Sequence, residues 1–336
     1  MARYIVRRVL WGVALLAITS AVVFTIFYVF PSADQATLRA GRNASPDDIN
    51  RLRDSLGLAD PLPKQFARYM TQVFTPFSWF DADKYNGGTG PFQLGVSIFQ
   101  SNTPVKEIIL DRLPATIFLV IGSVVLWLAI GIPIGIISAV RRRSLLDRVT
   151  MIGSLTFISA PVFWLGLVAL YLFAQDVGVI HIFPGIGAYG DETSFLGRAG
   201  SLVLPWFVLA TATAAIYARY LRSQMIDVMS EDYIRTARAK GLPERTVVMK
   251  HMLRSAITPL VTLLGLDVGT LLAGNAILTE SVFNIPGVGK EIVVAITRSD
   301  LIVIQGIVLV GAFFIITFNL LVDIAYAYLD PRVRFD

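Results

Sequence analysis

Long apolar runs alternate with short charged stretches along this chain, and their lengths are the first thing the pattern fixes. A helix needs about 20 mainly apolar residues to cross the hydrocarbon layer of a membrane. Six runs approach or meet that length: Val9 to Phe30, Leu113 to Val140, Val149 to Phe173, the shorter Ala- and Thr-rich Leu202 to Tyr217, Ile257 to Val282, and Leu301 to Tyr326. The first exceeds the roughly 7–15-residue apolar core of a cleaved signal peptide, so it reads as a retained anchor. Pro133 and Pro161 fall inside expected spans, where neighbouring groups can satisfy the freed carbonyls. The pattern therefore predicts an all-α polytopic membrane protein of about six transmembrane helices.

Composition agrees. Of 336 residues, 55% are hydrophobic and only 16% charged, against roughly 25% charged in a soluble domain. Cysteine is absent, which excludes disulfides, thiolate metal sites and cysteine nucleophiles. His181 and His251 are too far apart in sequence for a local metal motif. The net charge of +5 reflects topology rather than nucleic-acid binding, because basic residues gather in cytoplasmic loops. With the N-terminus inside, cytoplasmic segments hold Arg3, Arg7 and Arg8, then Arg141, Arg142, Arg143 and Arg148. Eight more Lys and Arg lie between Arg219 and Arg254, and Arg332 and Arg334 close the chain. The two short outer loops hold only Arg198, Lys290 and Arg298. Both termini are thus expected in the cytoplasm.

Three regions are expected: residues 1–30, the cytoplasmic end and first span; residues 31–112, a small extracytoplasmic subdomain too long for a connector; and residues 113–336, carrying spans two to six with a cytoplasmic loop over 220–255. In the outer segment, Ser45-Pro46-Asp47-Asp48 reads as an N-cap, a first-turn proline and dipole-matched acids. Gly57 would end that helix in a left-handed conformation. Pro61 and Pro63 would break the chain before Gln65, and Asp81 to Gly95 reads as an irregular loop. Its surface is either a solvated cap or a docking surface for an external protein.

The cytoplasmic loop carries the densest signal. Ser230 could cap a short helix whose first turn holds Glu231 and Asp232, while Arg235, Arg238 and Lys240 suit its later turns. Glu231 and Arg235 stand in the favourable i,i+4 order. Gly241 supplies the stop and Pro243 suits the start of a second helix. Two short helices meeting at Gly241-Leu242-Pro243 are expected, and physical pattern alone leaves a solvated connector and a docking elbow both open.

Residues Glu231, Asp232, Tyr233, Ile234, Arg235, Thr236, Ala237, Arg238, Ala239, Lys240, Gly241 and Leu242 resemble the coupling-helix region of ABC importer permeases. The likeness is to the dipeptide/oligopeptide/nickel subfamily, in its first-permease (B-type) branch. Leu56-Gly57-Leu58 with Asp60-Pro61 and Gln65, Arg112-Leu113-Pro114-Ala115-Thr116, Glu280-Ser281-Val282-Phe283 with Pro286-Gly287-Val288-Gly289, and Tyr328-Leu329-Asp330-Pro331-Arg332 resemble further family segments in the same order. Against the general Glu-Ala-Ala pattern this chain has Arg235-Thr236-Ala237, and Gln93 stands where the family usually shows Asp. The resemblance implies a permease with no catalytic centre and no cofactor of its own, ATP and Mg being bound by partner chains. It implies a homologous second permease, two ABC ATPase subunits, an extracytoplasmic substrate-binding protein and a peptide substrate, with membrane lipid around it and no nucleic acid. Glu231, Arg235, Thr236, Ala237, Arg238, Ala239, Lys240 and Gly241 would form the ATPase-coupling site.

No phosphate-binding Gly-x-x-x-x-Gly-Lys-Ser/Thr motif occurs. Gly185, Gly187 and Gly190 spell a dinucleotide-like pattern in an outer loop without βαβ context, and read as a turn. Asn43-Ala44-Ser45 fits a glycosylation sequon. Asp267 lies within the fifth span, where a carboxylate costs about 2.5–3.5 kcal/mol on insertion scales and should face the bundle or a wet cavity. It either lines the translocation path, with Asn275 and Glu280 farther along the same helix, or bonds a neighbouring helix or the partner permease. Asp323 reads as structural. Within the family, nickel or oligosaccharide import stands as an alternative to peptides. An ion-coupled secondary transporter would show internal repeats and discontinuous helices, and no clear repeat is visible.

Overall fold

The computed structural model describes residues 2–29, 36–37, 45–55, 57–74, 94–97, 99–100 and 103–329. The expected loop Asp81 to Gly95 lies outside these apart from Leu94 and Gly95, as do Gln93, Asn43 and Ala44, and Asp330-Pro331-Arg332.

The protein is an all-α polytopic membrane protein. Helix α1 (Ala2–Phe24) continues through a π turn (Thr25–Val29) and forms an apolar span over Ile5–Val29. Two short helices follow, α2 (Pro46–Ser55) and α3 (Leu62–Phe74). A two-residue antiparallel pairing, β1 (Val96–Ser97) with β2 (Thr103–Pro104), leads into α4 (Val105–Val140). Next come α5 (Leu145–Ser159), α6 (Val162–Phe173), the single turn α7 (Ala188–Asp191) and the long α8 (Phe195–Met229). The remainder is α9 (Asp232–Ala239), α10 (Glu244–Ala256), α11 (Thr258–Asn275), α12 (Ile277–Val282), α13 (Val288–Arg298) and α14 (Leu301–Leu329). Four of these helices are long and apolar enough to cross a membrane, or up to six spans if each of two bent pairs counts as one.

The bent pairs are where the structure departs from the sequence reading. The expected third span is two helices, α5 and α6, meeting at 102°. Ala160 is extended (φ −83°, ψ 126°), because proline disfavours helical geometry at the residue before it, and Pro161 (φ −60°, ψ 136°) caps α6. The expected fifth span is also divided. Helices α10 and α11 meet at 51°, and Gly274 at φ 111° separates α11 from α12. Glu280 therefore does not share a helix with Asp267, and Asn275 lies just past the Gly274 break at the end of α11. The fourth span runs well past Leu202 and Tyr217 at both ends, as the single helix Phe195–Met229, with Leu221 and Met225 of its C-terminal turns buried.

Helices α4 and α8 make the closest pair. A Cβ at Gly131 would lie 2.9 Å from the Ala214 carbonyl, and one at Gly135 2.9 Å from that of Ala218, so small residues let the two backbones approach as membrane helices do. Helix α14 packs on α11, and α1 lies along α14 with Arg8 paired to Asp323 at 3.1 Å. Helices α2 and α3 are specified as expected. The Ser45 hydroxyl accepts from the Asp48 N–H at 3.2 Å, and Gly57 sits at φ 64°. Pro61 and Pro63 open α3 rather than merely breaking the chain. Its Phe66, Tyr69 and Val73 then pack onto Val23 and Phe24 at the top of α1.

Candidate functional site

The elbow over residues 231–256 is built as two short helices around one left-handed glycine. Helix α9 begins at Glu231, whose extended backbone (φ −69°, ψ 144°) makes it the N-cap. Ser230 instead finishes α8, its hydroxyl donating to the Asp227 carbonyl at 2.8 Å. The cap moves by one residue because α8 persists as far as Met229. At the other end Gly241 takes φ 73°. Its N–H donates to the Arg238 carbonyl at 2.9 Å, and the Leu242 N–H to that of Ala237 at 3.4 Å, the doubly bonded Schellman stop. Pro243 caps α10, one position earlier than the sequence suggests.

The elbow has two faces. Ile234 and Ala237 point inward and are buried, packing with Val247, Val248 and Met252 of α10. The same apolar cluster continues through Met225, Leu221 and Tyr217 of α8 to Trp127 of α4 and Leu260 of α11. The outer face carries Asp232, Tyr233, Arg235, Arg238, Lys240, Gly241 and Leu242, all exposed. Arg235 pairs with Asp232 at 3.5 Å rather than with Glu231. Arg238 bridges the two helices to Glu244 at 2.7 Å, and this bond strengthens the guanidinium's already firm hold on its proton. The Tyr233 hydroxyl donates to Ser255 Oγ at 3.0 Å.

Above the elbow lies an ion pair that the sequence reading missed. Arg222 of α8 forks onto Asp147 of α5, Nε to Oδ1 at 2.7 Å and Nη2 to Oδ2 at 2.9 Å. The Arg143 N–H also donates to Oδ2, at 2.8 Å. Asp147 is 4% exposed, so the pair bolts the α4–α5 turn to α8. Seventy-five residues separate the partners, and no local pattern marks such a pairing.

The intramembrane candidates part company in the structure. Asp267 is partly exposed and accepts from the Tyr217 hydroxyl at 2.8 Å through Oδ2, linking α11 to α8. Asn275 is exposed at the end of α11. Glu280 has no exposed surface. Its Oε1 accepts from Thr116 Oγ1 at 2.7 Å, and its Oε2 from the Lys290 N–H at 2.8 Å. Thr116 Oγ1 in turn accepts from the Val288 N–H at 2.9 Å. Glu280 thus stands at the N-terminus of α13, where a carboxylate meets unpaired N–H groups and the favourable end of the helix dipole.

The structure thus joins a bundle of long apolar helices to an exposed charged elbow. Residues 131–335 match the family described as binding-protein-dependent transport system inner membrane component. The chain belongs to that family. Residues 1–120 also match its N-terminal membrane-component family. The chain is 36% identical to an oligopeptide transport system permease protein of Bacillus subtilis (strain 168), over the whole of both sequences. It is 36% identical to a dipeptide transport system permease protein of Alkalihalophilus pseudofirmus, and 38% identical to a glutathione transport system permease protein of Salmonella typhi, again over the full length of both chains. This binding-protein-dependent permease is accordingly a multi-pass inner-membrane protein of the ABC-importer type.

Proposed function

We propose that the chain is one of two permease halves of an ATP-driven importer of di- and oligopeptides, with no catalytic site of its own. Its partners in this reading are a homologous second permease, two ABC ATPase subunits that bind ATP and Mg, and an extracytoplasmic binding protein that delivers the peptide. Both termini and the elbow face the cytoplasm, in line with the distribution of Lys and Arg. Residues 31–112 form the extracytoplasmic subdomain, and residues 113–336 the transport unit.

The observation that carries this reading is the continuity of the apolar cluster from Ile234 and Ala237 to Trp127 and Leu260. Packed interiors have low compressibility and transmit displacement, so a push on the exposed elbow moves α4, α8 and α11 together. Glu231, Arg235, Thr236, Ala237, Arg238, Ala239, Lys240 and Gly241 form the lever, with the charged outer side chains meeting the ATPase. Asp267 is the candidate cargo contact, its Oδ1 available to a peptide ammonium while Tyr217 holds Oδ2. Asn275, exposed at the end of α11, is a second polar candidate. Glu280, occupied by Thr116 and Lys290, serves the path by fixing α13.

The test is uptake by the reconstituted assembly in vesicles. Peptide accumulation should require ATP and stop with vanadate. Accumulation driven by an ion gradient without ATP, or of nickel or oligosaccharide but not peptide, would overturn the assignment.

A further inference from the structure

The turn between α4 and α5 concentrates positive charge that the coupling elbow does not use. Arg141, Arg142, Arg143 and Arg148 are all exposed. None forms an ion pair among the described residues. The nearby carboxylate, Asp147, is buried and already committed to Arg222 and the Arg143 N–H. Since Asp147 and Arg222 neutralise each other, the charge of the four guanidiniums stands uncompensated. The turn itself is well ordered by local bonds. Ser144 Oγ accepts from the Asp147 N–H at 3.2 Å, and Arg143 is held at φ 65°.

Large apolar side chains share this turn. Leu145 is 78% exposed, and Leu146 and Val149 are exposed beside it. Apolar helix precedes the arginines and apolar helix follows them, so the turn lies at the boundary between hydrocarbon and water. The elbow stands farther out. Asp147 grips Arg222, and α8 then continues to Met229, roughly 10 Å farther along its axis at 1.5 Å per residue. A partner docked on the elbow is thus offset from the arginine turn.

We propose that this turn is a headgroup clamp for an anionic phospholipid, the guanidiniums holding the phosphate while Leu145, Leu146 and Val149 enter the acyl boundary. Planar guanidiniums match phosphate oxygens in forked pairs, and basic groups between membrane helices bind acidic headgroups. The inference rests on the membrane topology and is independent of the cargo.

The experiment titrates the purified intact transporter in detergent with phosphatidylglycerol or phosphatidylcholine and counts retained lipid by native mass spectrometry. Wild type should retain phosphatidylglycerol selectively. Replacing R141Q, R142Q and R143Q together should weaken that retention on the order of 100-fold, about fivefold for each cation near the surface. The variant with R141K, R142K and R143K keeps the charge and should stay within several-fold of wild type, which separates charge from folding. Equal retention of the two lipids, or unchanged retention in the glutamine variant, would overturn the clamp. So would displacement of the lipid by inorganic phosphate, which would mark a free-anion site. Loss of ATPase subunits from the glutamine variant with lipid retention intact would make the turn a protein interface instead.

Discussion

Removing three heavy atoms from the inner face of the elbow separates its two roles, holding and being pushed. In Ile234→Ala the substituted side chain is fully buried, at 0% exposure, against Val247, Val248 and Met252. Such truncations cost about 2–5 kcal/mol, because the cavity collapses only in part. The remaining attachments cannot make this up. The Tyr233–Ser255 bond and the Arg238–Glu244 bridge are exposed, and each contributes about 1 kcal/mol or less. At 1.4 kcal/mol per decade, local opening of the elbow rises roughly 30- to 4,000-fold. Hydrogen exchange reads this directly at the amides of Lys240, Gly241 and Leu242, whose acceptors are Thr236, Arg238 and Ala237. These amides should exchange at least about 30-fold faster, while the assembled transporter continues to hydrolyse ATP and loses most of its uptake. Arg235→Ala, on the outer face, should leave the same amides protected and weaken ATPase association. Full uptake by Ile234→Ala at wild-type membrane abundance, with unchanged protection, would refute the argument that a buried seam transmits the force.

Other outcomes follow from the same geometry. Gly241→Val should reduce uptake through backbone strain of about 1–2 kcal/mol; since nothing lies within 4 Å of an added Cβ, Gly241→Ala should cost nearly as much and Gly241→Asn less, measured as uptake at equal abundance. Arg222→Met leaves Asp147 buried without its counter-ion and should destabilise by about 3–5 kcal/mol. Adding Asp147→Asn should recover part of the loss of Tm in detergent, and strict additivity would exclude coupling. On the outer side, bonds from Lys64 and then Arg68 hold the Asp60 carboxyl below its usual range. A carboxyl depressed in the folded state contributes stability above its unfolded value near 4 and loses it as pH falls through the lower folded value. The α2–α3 unit should therefore stay protected from exchange from about pH 5 to 8 and loosen only below about pH 4, and Asp60→Asn should abolish that dependence.

What the residue order determined is whatever depends on near neighbours. Apolar length set the number of runs that could cross a membrane, because lipid admits only helices with satisfied backbones or closed barrels. Ser45 and Gly57 ended α2 where they should, since capping and left-handed turns involve residues only a few positions apart. Gly241 stopped α9 for the same reason, and the pair of short helices meeting there was legible before any coordinates. Tertiary structure decided whatever joins distant segments or depends on which neighbour supplies a partner. It turned the Pro161 run into a 102° corner, where a proline inside an apolar run is equally compatible with a kinked but continuous helix. It extended α8 beyond its apolar section, moving the cap from Ser230 to Glu231. It divided Asp267, Asn275 and Glu280 among different surroundings, because Gly274 breaks the helix and Thr116 and α13 enclose Glu280. It also joined Asp147 to Arg222. A charge pair across so many residues forms only when packing brings two helices side by side, and that packing is a property of the folded bundle.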